Sequence, residues 1–187
     1  MKKSGFTLIE LIIVIVIAGI LAAVMIPRLE RDNLREAANK LVRHIQYTQH
    51  LAMVDDVYDA SNANWFANRW TIDLCGTPYV VERANSTATA VDAMTKRDIN
   101  GTDNDLADLG VDSITVSANS TGTVSVGYGC RMIFDNLGRP YTSNGVPTAP
   151  TDNLLNADET VTLTAGTRTA VITITKETGF VKITNIN

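Results

Sequence analysis

Residues 6–26, FTLIELIIVIVIAGILAAVMI, decide the reading of this chain. Of these 21 residues, 18 are apolar, and from Leu11 to Ile26 none is charged. Wound as a helix, the stretch would span about 31 Å, the thickness of a bilayer core. Lys2 and Lys3 stand before it. Positive residues stay on the cytoplasmic side, so the C-terminal part of the chain is expected beyond the inner membrane. A cleaved secretory signal would instead end in a small-residue site after the apolar run. Here the run passes through Met25-Ile26-Pro27 into a charged helical pattern, as a retained anchor does.

The remainder is a different kind of chain. The whole has 187 residues, 19% of them charged, and a net charge of −4. It is no basic nucleic-acid binder by composition. Outside residues 6–26 the apolar share falls to roughly 40%, typical of a fairly polar globular part. Two cysteines are too few for a disulfide-dense miniprotein or a four-cysteine zinc site. No acid/base pair, no nucleophile with a base and no phosphate loop suggests an enzyme.

Glu10 is the anomaly in the apolar stretch. A carboxylate there costs roughly 2.5–3.5 kcal/mol on insertion scales, less at the lipid interface. It either sits at that interface or neutralises a positive group on a neighbouring subunit.

Met1-Lys-Lys-Ser-Gly5 followed by Phe6-Thr7-Leu8-Ile9-Glu10-Leu11 resembles the start of type IV pilins and type II secretion pseudopilins. The resemblance implies that residues 1–5 are a leader, removed by a prepilin peptidase between Gly5 and Phe6. Phe6 would then be N-methylated, and Glu10 would pair with a neighbouring subunit's amino terminus during assembly. Pairing makes a desolvated charge far cheaper than a lone one. Loss of Lys2 and Lys3 would take the side-chain charge from −4 to −6.

Residues 6–27 read as the transmembrane and assembly helix, and 28–55 as its amphipathic continuation. Leu34, Ala37, Ala38, Leu41, Ile45, Thr48 and Ala52 recur at three- and four-residue steps on one face. The repeat is short for a coiled coil, so this face is expected to pack on a sheet. Pro27 is where the helix could kink. His44 and His50, six residues apart, point in different directions and cannot chelate one ion; an exposed or packing role is expected.

Residues 56–187 read as a β-rich head, giving an α+β fold with a long N-terminal helix packed on an antiparallel sheet. Strands are expected at Trp70–Cys75, Tyr79–Arg83, Ser113–Ser117, Thr123–Tyr128, Arg131–Asp135, Thr160–Thr164, Ala170–Thr175 and Val181–Thr184. Thr178-Gly179 makes a hairpin between the last two. Residues 84–93 and 144–156 read as exposed loops.

Within the superfamily, Leu41–Met53, Phe134–Pro140 (FDNLGRP) and Val171–Val181 (VITITKETGFV) most resemble GspH/FimT-type minor subunits. That implies a minor pilin or pseudopilin, a structural subunit of a type II secretion pseudopilus or type IV pilus. It would be single-pass in the bacterial inner membrane with a periplasmic head, and could be extracted into the filament. Its partners would be other pilins, the prepilin peptidase, and a secretion substrate or the outer-membrane secretin. The alternative is a DNA receptor of a transformation pilus, because some FimT-like relatives bind DNA through basic residues near the C-terminus. Here Phe180-Val181-Lys182 comes after Thr178-Gly179, and Lys176 with Lys182 makes a meagre phosphate patch. DNA is not the expected partner. Phe134–Pro140 is itself read as a structural turn.

Cys75 and Cys130 lie near expected strand ends, and in a periplasmic head they could bridge. Two buried thiols, or one reactive thiol, are the alternatives. No cofactor is expected, although Asp98, Asn100, Asp103 and Asp105 are calcium candidates on an acidic loop. Gly101 falls at the wrong place for an EF-hand, and such loops are usually solvated turns. Sequons occur at Asn85 and Asn119, and Trp65, Phe66 and Trp70 form an aromatic cluster expected in the core or at a partner surface.

Overall fold

The computed structural model describes residues 7–74, 78–84, 88–100, 106–117, 130–142 and 149–187, with backbone alone at 24–32. The expectations for Gly5, Phe6, Cys75, Asn85, Asp103, Asp105, Asn119 and the strand at 123–128 lie outside them.

Among the described residues one α-helix, α1, runs Leu8–Val54. The chain divides into two compact units, Met1–Asn33 and Leu34–Asn187, so α1 contributes to both. In the first unit, the large apolar side chains from Leu8 to Leu21 are all 47–76% exposed. Among the described residues no helix is long and apolar enough to cross a membrane. Leu8–Ala23, where the described side chains of this segment end, would cover about 24 Å against a hydrocarbon core of about 30 Å. The rest of the expected span is residues 6–7 and 24–27.

The second unit is built on the stripe read from the sequence. Leu34, Ala37, Ala38, Leu41, Ile45 and Thr48 are fully buried, and Ala52 nearly so. Their spacing keeps them on one face of α1, and each large member contributes roughly 1.5–3 kcal/mol on leaving water. They join Ile72, Val81, Met132, Phe134, Leu163, Ile172 and Ile174 in one core. The stripe packs within its own head, not against a coiled-coil mate.

Among the described residues the strands are β1 (Trp70–Asp73), β2 (Val80–Arg83), β3 (Ser113–Val116), β4 (Arg131–Phe134), β5 (Pro140–Thr142), β6 (Glu159–Ala165), β7 (Arg168–Ile174) and β8 (Val181–Ile186). They form two four-stranded antiparallel sheets, ordered β2-β1-β4-β5 and β3-β6-β7-β8, where the sequence suggested one. Alternating burial along β6 and β7 turns Val161, Leu163, Ala170, Ile172 and Ile174 inward. Their threonines face the other way.

β5 was not expected from the sequence. It opens on Pro140, which pairs with Phe134 at the sheet edge, where a missing N–H costs no ladder bond. Neither expected loop is simply exposed. Ala90 and Ile99 are buried, and an N–H···O chain (Ala90 to Val81, Val81 to Ile99, Ile99 to Ala90) stitches residues 88–100 along β2. Leu154 bridges to Tyr141, and Leu155 is buried with its N–H on the Pro140 carbonyl.

Candidate functional site

The N-terminal candidate is built around Glu10. Because α1 starts at Leu8, Thr7 is the residue before the helix and Glu10 stands in its first turn. Glu10 Oε2 accepts from the Thr7 backbone N–H and hydroxyl, both at 3.4 Å. This is the reach-back half of a capping box, and the carboxylate also faces the positive end of the helix dipole. Sequence reasoning assigned Glu10 to pairing with a neighbouring subunit and not to the helix cap; the Thr7-x-x-Glu10 spacing was the missed signal. Glu10 is exposed, as is the apolar surface beyond it.

Three head segments singled out in the sequence meet at one side chain. Gln49 Nε2, on α1, donates to the Gly138 carbonyl at 2.7 Å and the Thr178 carbonyl at 2.8 Å. Gly138 and Gly179 have φ of +77° and +65°, which L side chains rarely adopt. A Cβ on Gly179 would meet Gly138 O at 2.5 Å and Gln49 Nε2 at 2.6 Å.

Asp135 shapes the first of these turns. It is 1% exposed, and its Oδ1 accepts from the Leu137 and Arg139 N–H groups at 3.0 and 2.8 Å. Oδ2 takes the Arg139 Nε–H at 2.8 Å and the Tyr141 hydroxyl at 3.0 Å. Hydrogen bonding to Asp135 raises the Arg139 pKa further. Burial first, and Asp135 second, push the Tyr141 phenol up. Every group in this cluster serves the turn, as expected of FDNLGRP.

His44 is buried, and its Nδ1 lies 2.5 Å from the buried Tyr79 hydroxyl. Its Nε2 is 3.7 Å from Asp92 Oδ2. Burial lowers the imidazole pKa to about 4, outweighing the nearby carboxylate; Lys40 and Arg43 push the same way. Burial would raise Asp92, but donors from Met94 and Thr95, with His44, leave its pKa lowered. Arg43 and Tyr47 flank the contact, donating to Met94 Sδ at 2.9 Å and Val91 O at 3.0 Å. His44 therefore packs residues 91–94 on the helix, while His50 is exposed.

The remaining candidates are scattered. The Leu74 N–H donates to Cys130 O at 3.1 Å, one step beyond the Asp73–Arg131 pair. Cys130 is disulfide-bonded. Asp98 and Asn100 are exposed, and among the described residues no His, Cys, Asp or Glu cluster could hold a metal. Phe66 is buried, whereas Trp65 and Trp70 are half-buried. Trp70 Nε1 donates to Asp55 at 2.8 Å, and Asp55 also pairs with Arg83.

Residues 1–26 match the model of the prokaryotic N-terminal methylation motif. The chain carries the N-terminal motif typical of type IV pilins and pseudopilins. The pilin-type motif implies a membrane-anchored, exported protein that is processed by prepilin peptidase and assembles with other pilins. It covers the exposed apolar half of α1 and Glu10, and the α+β head is consistent with a pilin head. No curated protein and no solved structure matches the chain.

Proposed function

We propose that this chain is a minor pilin or pseudopilin of the GspH/FimT type, a structural subunit of a type II secretion pseudopilus or type IV pilus. The observation that carries the reading is the methylation motif over residues 1–26, within which the large apolar side chains from Leu8 to Leu21 are exposed. An apolar helix surface exposed on every side needs lipid or other helices. Before assembly, residues 6–27 anchor the chain in the inner membrane with the head in the periplasm. After assembly, the same surface packs against neighbouring subunits. The head offers surfaces to a secretion substrate or the secretin, and the chain's work is structural, not catalytic.

Glu10 separates assembly from folding. In a bundle its carboxylate pairs with the amino terminus of Phe6 on a neighbour, and removing one member of a desolvated pair costs roughly 3–5 kcal/mol. Glu10→Gln keeps an acceptor for Thr7 and removes the charge; Glu10→Ala removes both. Both variants should be cleaved, inserted and as heat-stable as wild type, yet fail to co-purify with neighbouring subunits. Assembly of Glu10→Gln at wild-type levels would leave Glu10 with the helix cap alone and refute the pairing.

A further inference from the structure

Residues 88–100 lie along the outer edge of β2 as a strap. The Ala90 N–H donates to the Val81 carbonyl at 2.8 Å, and the Val81 N–H donates to the Ile99 carbonyl at 2.9 Å. Bridges at Val80–Asn100 and Glu82–Thr89 extend the pairing, so the strap covers what would otherwise be an open pairing edge. The tip of the strap is a tight hairpin, with Val91 opposite Asp98 and the Asp92 N–H on the Arg97 carbonyl. Three neighbouring side chains of α1 clasp this tip. Arg43 Nη1 reaches Met94 Sδ, the Tyr47 hydroxyl donates to the Val91 carbonyl, and His44 stands between the Tyr79 hydroxyl and Asp92 Oδ2. The first two contacts are exposed to solvent. The third is enclosed, with His44 5% and Tyr79 0% exposed.

We propose that this clasp is an acid-operated latch: protonation of His44 releases the strap and bares the β2 edge while the rest of the head stays folded. An imidazole enclosed in this way favours its neutral form, because burial penalises the cation. Among the described residues, the groups that face it leave that penalty standing. Asp92 on the strap favours the cation, but its pull at 3.7 Å does not offset the burial. Tyr79, just before β2, brings a neutral hydroxyl, and Lys40 and Arg43 on the same helix repel the charge. Moving the strap away gives the ring to water, where an imidazole holds its proton up to about pH 6.5. In the closed latch it holds one only below about 4. The opening equilibrium therefore gains about twentyfold on going from about pH 7 to about pH 5. Opening frees the Val81 N–H and carbonyl, which the strap now occupies.

The test is amide hydrogen exchange of the full chain in detergent at these two pH values, corrected for the intrinsic rate and repeated in low urea. Ala90, Asp92 and Ile99 report on the strap, and Val81 on the edge it covers. Ala170 and Ile172, in a strand paired on both sides, report on the whole head. The strap and Val81 amides should exchange at least tenfold faster than those of β7 and depend weakly on urea, as a local opening does. On acidification they should lose about twentyfold in protection. His44→Gln should abolish that acid response. Tyr47→Phe, which removes an exposed bond to the strap, should speed strap exchange about fivefold at both pH values and keep the acid response. Strap amides that share the rate and urea dependence of β7, no acid response in the wild-type strap, or the same response in folded His44→Gln would overturn the proposal.

Discussion

Gln49 Nε2 donates at 2.7 Å to the carbonyl of Gly138, a residue 89 positions later in the chain. With its second bond to Thr178, this one amide ties the helix to both the Phe134–Pro140 turn and the β7–β8 hairpin. The two turns can approach so closely only because each carries a glycine at positive φ.

Gly179→Ala is therefore expected to be among the most damaging small substitutions in the head. It forces an alanine into left-handed backbone and drives its Cβ against the Gly138 carbonyl. A loss of about 2–4 kcal/mol is expected in denaturant unfolding of the full chain. Gln49→Ala, which only removes hydrogen bonds, should cost about 1–2 kcal/mol. A Gly179→Ala protein as stable as wild type would contradict the close packing of the two turns.

Asp135 should be comparably sensitive. Its near-isosteric replacement Asp135→Asn loses the charge opposite Arg139 and puts an amide where both oxygens now accept. We expect a loss of about 2–3 kcal/mol, because the buried Asp135 oxygens lose matched donors while Arg139 keeps part of its surface in water. Thermal melting of the variant beside Leu137→Ala, an exposed position in the same turn, checks this. Comparable melting temperatures for the two variants would be the contrary result.

His44 makes head stability depend on pH. Its pKa is about 4 in the folded chain against 6.5 when exposed, so the unfolded chain takes up the proton first as pH falls. The stability held by neutral His44 is complete above pH 6.5 and is lost on going from 6.5 down to about 4. The loss is roughly 3 kcal/mol over that window. Asp92, whose pKa is depressed, contributes stability above pH 3.8 that is lost only as pH falls further. Unfolding measured across this range should flatten between pH 6.5 and 4 in His44→Gln. An unchanged slope in that variant would show that another group is responsible.

Cys75 and Cys130 are expected as one bridge in exported protein. The Leu74–Cys130 backbone bond brings the two ends of the intervening segment together. Closing a loop of that length stabilises by roughly 4 kcal/mol in the chain-entropy model. Non-reducing peptide mapping should find the linked pair, and reduction should lower the melting temperature. Alkylation of both cysteines in unreduced protein is the opposing outcome.

What was legible in the sequence was periodic. Leu34 through Ala52 repeat at helical spacing over about five turns, and Val161, Leu163, Ile172 and Ile174 alternate at strand spacing, so their faces could be read directly. The capping role of Glu10 was hidden because its cost in lipid drew attention from Thr7, three residues before it. β5 is three residues long and begins with proline, too short to show a period. Ala90, Ile99 and Leu155 are single apolar residues among polar ones, buried by β2 and Pro140, which sequence neighbours do not reveal. The division into two sheets rests on strand pairing, on which alternation within a strand is silent.

The central claim is that residues 1–26 are processed as a pilin N-terminus, and intact mass with N-terminal peptide sequencing of the membrane-extracted protein tests it most directly. The expected chain begins at Phe6, carries one methyl group on its amino nitrogen, and retains Leu8–Ile26. A chain still beginning at Met1 in cells with an active prepilin peptidase, or one cut after Ile26, would contradict the account.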